Sequence, residues 1–189
     1  MGRKTSGSAS TVSDSADITA LQPQLSFMNY AKTRYLDLGF AHSEYDGDIT
    51  TKVDQFTPTI GIGWNDSYDW LQLRSYIITL NQPLIPGGDD QFNSLEIKYT
   101  HWFSDSTTAM EFWRLTALTG KRLLAVDSDA AVIYSMADTQ KAEITASINW
   151  KLAEKASVLT LVNYTQYENE SSGNDYNSLL FYLNLQKQW

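Results

Sequence analysis

The segment AEITASINWKLAEKASVLTLVNY, residues 142–164, begins with a strict alternation of apolar and polar residues. From Ala142 to Leu152 every second residue is apolar, and the residues between them are polar or charged. Successive side chains of a β-strand point to opposite faces, so the pattern predicts a strand with one apolar and one polar face. A soluble barrel turns its apolar face inward, whereas a membrane barrel turns it outward to lipid.

Strand-like segments separated by turns recur from residue 34 to residue 189, and we predict no amphipathic helix. Three connections, at residues 65–69, 104–107 and 153–156, are short, and the others are longer. Short turns at one end and long loops at the other are typical of bacterial outer-membrane barrels. We therefore predict an all-β fold, an antiparallel up-and-down transmembrane β-barrel of eight strands. The predicted strands cover residues 34–45, 54–64, 70–81, 92–103, 108–120, 140–152, 157–168 and 177–189.

The predicted domain organisation has two parts. Residues 1–33 begin with a Ser/Thr-rich stretch and are predicted to be a flexible leader or periplasmic segment, and residues 34–189 are predicted to be the β-barrel domain. Within the first part, residues 24–31 are compatible with an extra strand or a segment packed at the barrel mouth. Within the second part, the connection at 121–139 is compatible with a projecting hairpin that extends its two flanking strands.

The composition narrows the possible partners and locations. The 14 Lys and Arg residues are outnumbered by 22 Asp and Glu residues, giving a net charge of −8, which argues against nucleic acid as a partner. There is no Cys, which excludes disulfide bonds and thiol chemistry. The mean hydropathy of −0.34 fits a soluble protein. It fits a membrane barrel equally well, because half of each strand then faces a polar interior.

The tryptophans favour the membrane. Five of the six Trp residues are predicted to lie at the short-turn end, and only Trp113 is predicted to lie away from it. Trp and Tyr are enriched where a membrane meets water, because their rings have an apolar body and a polar edge. We therefore predict an aromatic girdle at the membrane interface. Its members are Trp64, Trp70, Trp102, Phe103, Trp150 and Trp189.

The polar face of the strands is then predicted to line the barrel interior. Eight strands enclose only enough room for side chains, and a buried charge needs a partner. We therefore predict a network of ion pairs and hydrogen bonds that fills the interior. Its members are Arg74, Glu96, Lys98, Arg114, Lys141, Glu143 and Lys151.

Two stretches resemble known outer-membrane proteins. The last residues, LLFYLNLQKQW, end on Trp189 and resemble the terminal aromatic assembly signal of such barrels, although Lys187 interrupts the apolar face. Residues 35–80 resemble barrels of the YaiO type, whose relatives include barrel domains that end polysaccharide exporters. The resemblance implies an envelope location and no defined reaction; since such barrels usually have more than eight strands, it also implies a fragment or a shortened relative. It is carried by Thr57, Pro58, Gly61, Gly63, Trp70, Leu71 and Arg74.

The chemistry-bearing residues are few. The two histidines, His42 and His101, are predicted to lie at opposite ends of the barrel, so we predict no metal site, and no cofactor is expected. One alternative function is a lipid-modifying outer-membrane enzyme that uses His42 with Ser43 or Glu44. Another is a soluble lipocalin-like barrel that binds an apolar ligand.

The preferred function is a non-enzymatic component of the bacterial outer membrane. Its role would be that of an anchor, a surface protein or an assembly component, with a connection to polysaccharide export as one option. The partners expected for such a protein are outer-membrane lipid and lipopolysaccharide, the barrel-assembly machinery and, as a further option, another envelope protein.

Overall fold

The chain forms an all-β structure. The computed structural model describes residues 18–45, 50–104, 109–127, 132–133, 138–169 and 172–187. None of these residues forms a helix long and apolar enough to cross a membrane. The strands are β1 (Ile18–Leu21), β2 (Gln24–Met28), β3 (Arg34–Tyr45), β4 (Thr51–Trp64), β5 (Asp69–Leu80), β6 (Gln91–Trp102), β7 (Met110–Arg122), β8 (Val126–Asp127), β9 (Val132–Ile133), β10 (Asp138–Ala153), β11 (Ala156–Asn169) and β12 (Asp175–Lys187).

Ten of these strands form one antiparallel sheet of up-and-down topology. Its order is β1-β3-β4-β5-β6-β7-β10-β11-β12, and β2 also pairs with β3. β1 and β2 lie end to end along the same edge of β3, since Ile18 is opposite Tyr45 and Met28 is opposite Tyr35. The predicted all-β, antiparallel, up-and-down fold is therefore confirmed. The eight predicted strands correspond to β3–β7 and β10–β12, with ends that agree to within three residues.

The sheet contains ten strands instead of the predicted eight, and it is not closed into a barrel. Within the described part of the chain, β12 pairs only with β11. In an eight-stranded barrel the last strand would have to pair with residues 34–45; the described residues show no such pairing, because β1 and β2 occupy that edge of β3. Residues 24–28 thus form an extra strand, one of the two arrangements considered for this segment.

The connection after β7 contains a short hairpin, in which Val126 and Asp127 of β8 are opposite Ile133 and Val132 of β9, but its first residues return to the sheet and do not extend β7. Leu123, Leu124, Ala125 and Val126 are all buried. The side chain of Gln55 on β4 holds this segment through both of its polar atoms, donating to the Val126 carbonyl at 2.7 Å and accepting from the Val126 N–H at 2.9 Å. Four consecutive apolar residues explain the outcome, because burying them against the sheet removes apolar surface from water.

The two faces of the sheet differ in burial. We call the face covered by residues 123–126 the inner face and the opposite one the outer face. At the long-loop end of the inner face, apolar side chains form the hydrophobic core of the protein. This core contains Val53, Tyr76, Ile78, Leu80, Phe92, Leu118, Leu123, Leu124 and Ala125.

Candidate lipid-facing surface and inner polar network

The outer face of the sheet is apolar and exposed. Along β3 and β4, exposure alternates with every residue: Leu36 and Ile60 are 41% and 55% exposed, whereas their neighbours Asp37 and Thr59 are 2% and 1% exposed. We call the exposed apolar side chains of the outer face the apolar belt. The belt contains Leu25, Phe27, Leu36, Leu38, Phe40, Phe56, Ile60, Ile62, Ile77, Leu95, Ile97, Leu115, Ile144, Val162, Leu179, Phe181, Leu183 and Leu185.

The inner face is rich in buried polar side chains, and this reverses the usual arrangement of a soluble protein. Burying polar groups is costly unless they are hydrogen-bonded. In the described residues, the buried side-chain atoms without a hydrogen-bond partner are Ser43 Oγ, Ser94 Oγ and Glu96 Oε1. The buried polar residues of the inner face are Asp37, Ser43, Gln55, Thr57, Thr59, Arg74, Ser94, Glu96, Thr100, Thr116, Arg122, Gln140, Ser147 and Thr165.

Three of the predicted network residues meet in the middle of the inner face. Glu96 Oε1 lies 3.9 Å from Arg74 Nη1 and 3.6 Å from Lys98 Nζ. Arg74 Nε also donates to Thr59 Oγ1 at 3.1 Å. Asp127, which follows the buried segment 123–126, places Oδ1 3.8 Å from Arg74 Nη1. These residues form an ion-paired cluster that combines strands β4, β5, β6 and β8.

A second group joins β7 to β10. The Arg122 guanidinium donates to Gln140 Oε1 at 3.0 and 2.7 Å and lies 3.8 Å from Glu143 Oε2. It also lies over the Tyr76 ring, 4.9 Å from the centroid. Since the Tyr76 hydroxyl donates to Glu96 Oε2 at 3.4 Å, this tyrosine links the two groups. We call both groups together the inner polar network: Thr59, Arg74, Tyr76, Glu96, Lys98, Arg122, Asp127, Gln140 and Glu143.

The remaining predicted interior residues lie elsewhere. Arg114 lies on the inner face nearer the short-turn end, where its Nε donates to Thr100 Oγ1 at 3.0 Å. Lys141 lies at the long-loop rim, with Nζ 3.0 Å from Asp175 and 3.6 Å from Glu168. Lys151 is exposed at the end of β10. Sequence reasoning missed Arg122 as a member, although its position two residues beyond the predicted strand end placed it in the same alternation as Arg114.

Aromatic side chains gather on the outer face at the short-turn end. Tyr99 stacks on Trp64 with ring centroids 6.0 Å apart and contacts Trp113 at 5.0 Å. Asp69 accepts a hydrogen bond from the Tyr99 hydroxyl at 2.6 Å and lies 2.7 Å from Nδ1 of His101. Trp113 therefore belongs to this group, contrary to the sequence-based expectation that it lies away from the other tryptophans.

The residues predicted for the girdle divide between the two faces. Trp64 and Trp150 lie on the outer face, where Trp150 Nε1 donates to Thr160 Oγ1 at 3.2 Å. Phe103 lies in the turn after β6, with its ring 4.8 Å from that of His101. Trp189 lies outside the described residues.

The other two members, Trp70 and Trp102, lie on the inner face. Trp102 shares the alternation of Glu96. Trp70 covers Gly61 and Gly63 of β4: a Cβ atom at Gly61 would lie 2.6 Å from Trp70 Cζ2. The absence of a side chain at both glycines makes room for the indole.

A charged group lies on the outer face at the long-loop end. His42 Nδ1 lies 2.8 Å from Asp54 Oδ1, and Lys52 Nζ lies 2.7 Å from Glu44 Oε1. Ser43 is buried on the inner face, so His42 and Ser43 project from opposite faces of β3 and do not form a nucleophile–base pair. Across the described ranges, no group of three or more His, Asp and Glu side chains is arranged to hold a metal ion.

The edge formed by β2 is held by side chains as well as backbone. Asp37 on β3 is buried, and it accepts hydrogen bonds from Gln24 Nε2 at 2.9 Å and from Ser26 Oγ at 2.5 Å. On the outer face of the same pair, Leu25 is opposite Leu38 and Phe27 is opposite Leu36. Both faces of β2 therefore continue the pattern of β3.

Comparisons with models of known families, with curated proteins and with solved structures gave no match for this chain. The resemblance to barrels of the YaiO type thus stays a prediction.

Proposed function

We propose that this chain forms the wall of a transmembrane β-barrel in the bacterial outer membrane and acts there as a non-enzymatic envelope component. The observation that carries the proposal is the reversed distribution of polarity: the apolar belt is exposed, and the inner polar network is buried. In water, an exposed apolar surface of this extent is unfavourable and marks an interaction surface. In a bilayer, the same surface contacts hydrocarbon, and the polar side chains are shielded from it.

The height of the apolar belt supports this proposal. On β4 the outer-face residues are apolar from Phe56 to Trp64. At about 3.3 Å per residue this stretch is about 26 Å long. Strands of membrane barrels are tilted by roughly 35–45°, which reduces the height to about 20 Å, close to the apolar band of about 25 Å in outer-membrane barrels.

The two rims of the belt support it as well. At the short-turn end the belt borders on Trp64, Tyr99 and Trp113, and at the long-loop end it borders on His42 and Asp54. Aromatic residues are favoured at the headgroup level, and charged residues are favoured in water beyond it. The order of charged rim, apolar belt and aromatic rim matches the layers of a bilayer surface.

The filling of the inner face favours an anchor, surface or assembly role over transport. Residues 123–126 and the inner polar network occupy the middle and the long-loop end of this face. A polymer chain would have to displace them. In this proposal lipid and lipopolysaccharide contact the apolar belt, and the barrel-assembly machinery or another envelope protein engages the strand edges.

A charge placed in the apolar belt tests the proposal. Ile60 lies at the middle of the belt on β4, and Thr79 lies on the outer face of β5 at the long-loop rim, opposite Asp54. After refolding into phospholipid vesicles, Ile60→Arg should lower the free energy of unfolding by about 2–4 kcal/mol, whereas Thr79→Arg should lower it by about 0–1 kcal/mol. On a sheet whose outer face contacts water, both exposed substitutions would stay within about 0.5 kcal/mol of the parent protein. That result would reject the membrane assignment.

A further inference from the structure

We infer that, in the membrane, the free edge of β12 closes the sheet by pairing in parallel with β1 and β2 of the same chain. This inference rests on the proposed function, since it is lipid that makes an open edge unacceptable. In a bilayer each unpaired backbone N–H or C=O group costs several kcal/mol, so spanning sheets have to be closed. The inference assigns an occupant to the one long strand edge that the described residues leave unpaired.

β12 has the features of a strand that lacks a neighbour. Its outer-face side chains Phe181 and Leu183 are 71% and 69% exposed. Its inner-face side chains Leu180 and Tyr182 are also exposed, at 51% and 45%, unlike the inner-face residues in the middle of the sheet. A neighbouring strand would cover the backbone edge and bring the inner-face residues against the interior.

The edge of β3 is not available to β12, because β2 is anchored there. The buried Asp37 carboxylate accepts side-chain hydrogen bonds from Gln24 and Ser26 of β2. Displacing β2 would leave a buried carboxylate without these donors, which is costly. Leu25 and Phe27 also extend the apolar belt beyond β3. These contacts identify β2 as a firmly held strand of the sheet.

We call the junction between β12 and β1–β2 that would close the sheet the seam. Whether the strands at the seam run parallel or antiparallel follows from the number of strand positions in the sheet. β1 and β2 share one position, so the sheet has nine positions from β1–β2 to β12. Each strand runs antiparallel to its neighbour, and the first and ninth positions therefore run in the same direction. An antiparallel seam would require eight positions and the loss of β1–β2 from β3.

Contacts across the inner face favour closure within one chain over a wider ring of two copies. The segment that follows β7 reaches back to β3 and β4, where the Tyr45 hydroxyl donates to the Leu124 carbonyl at 3.2 Å and Gln55 bonds Val126. The segment that leaves β7 therefore contacts β3 and β4, which lie four and three positions away in the sheet, across the inner face. The lengths also correspond, because β1 and β2 together cover residues 18–28 and β12 has 13 residues.

Cysteine pairs test the seam directly, because the chain contains no Cys of its own. One Cys is placed on the outer face at Thr19, Leu21 or Leu25, and the second is placed at each odd position of β12 from 177 to 187. The control series places the first Cys at Leu38 on β3, the neighbour of Leu25. Each variant is refolded into phosphatidylcholine vesicles, its insertion is checked by flotation, and it is oxidised with copper phenanthroline.

We expect the variants with a Cys on β1 or β2 to form disulfides within the monomer. When the first Cys moves from Thr19 towards Leu25, the position on β12 that reacts should also move towards the C-terminus, because the two strands run in parallel. The Leu38 series should form none, because two strand spacings are about 10 Å and a disulfide needs Cβ atoms about 3.5–4.5 Å apart. Disulfides from Leu38 to β12, or disulfides that link two chains, would overturn the inference while insertion upheld the proposed function. Loss of flotation in the parent protein would reject the proposed function itself.

Discussion

Glu96 lies between the side chains of Arg74 and Lys98 in the centre of the inner polar network. Its replacement by Gln tests whether that network is shielded from water. Its Oε1 lies 3.9 Å from Arg74 Nη1 and 3.6 Å from Lys98 Nζ, and the Arg74 side chain is only 3% exposed. Glu96→Gln keeps the size of the side chain and removes its charge. Removing one partner of a buried ion pair typically costs about 3–5 kcal/mol. Arg74 retains Asp127 at 3.8 Å, so we expect a loss of about 2–3 kcal/mol in the free energy of unfolding.

The chain offers a matched control in Glu168. The distance from Lys141 Nζ to Glu168 Oε2 is 3.6 Å, equal to that of the Lys98–Glu96 pair, but its side chains are 37% and 30% exposed. Glu168→Gln should therefore cost no more than about 1 kcal/mol, the usual value of an exposed ion pair. Equilibrium urea unfolding in phospholipid vesicles, followed by tryptophan fluorescence, measures both variants. Equal losses for the two variants would refute the reasoning, because the inner face would then be as well solvated as the rim.

Two further substitutions test the packing of the inner face and the anchoring of β2. Gly61→Ala should lower the free energy of unfolding by about 1–3 kcal/mol and change the tryptophan emission, because the new Cβ would lie 2.6 Å from Trp70 Cζ2. Gly39→Ala is the control and should be tolerated, because the nearest atom to its Cβ would be 3.5 Å away. Equal losses of stability in the two variants would contradict the close packing of Trp70 on Gly61. Asp37→Asn should weaken the hydrogen bonds that Asp37 accepts from Gln24 and Ser26. Amide hydrogen exchange of residues 18–28 should then accelerate, whereas that of β5 and β6 should stay unchanged. Acceleration of the same size in all strands would show that Asp37 acts on the whole sheet.

The alternation of apolar and polar residues was sufficient to find the eight long strands and the two faces of the sheet. It placed Arg74, Glu96 and Lys98 on one face, and the structure brings these three side chains together. Alternation is clearest in β10, where every second residue from Ala142 to Leu152 is apolar, whereas the long-loop ends of β5 and β6 carry apolar side chains on the inner face as well. The short strands β1 and β2, with four and five residues, carry too few positions for such a pattern to decide.

What the sequence did not reveal depends on long-range geometry. Arg122 enters the inner polar network because β7 continues two residues past its predicted end. Asp127 reaches Arg74 only because the segment before it folds back onto the sheet. Trp113 joins Tyr99 because β7 begins at Met110, which brings Trp113 opposite His101 near the turn. The positions of Asp127 and Trp113 depend on contacts between distant parts of the chain, and local periodicity does not contain that information.

The central claim is that the outer face contacts lipid and the inner face does not. Spin labels at Ile144 and Ile148 on the outer face of β10, and at Thr145 and Ser147 on its inner face, test this claim within one strand. In phospholipid vesicles, labels at 144 and 148 should collide frequently with oxygen, which concentrates in hydrocarbon, and rarely with a water-soluble nickel chelate. Labels at 145 and 147 should collide rarely with oxygen. Labels at 144 and 148 that were more accessible to the nickel chelate than those at 145 and 147 would contradict the assignment of the outer face to lipid.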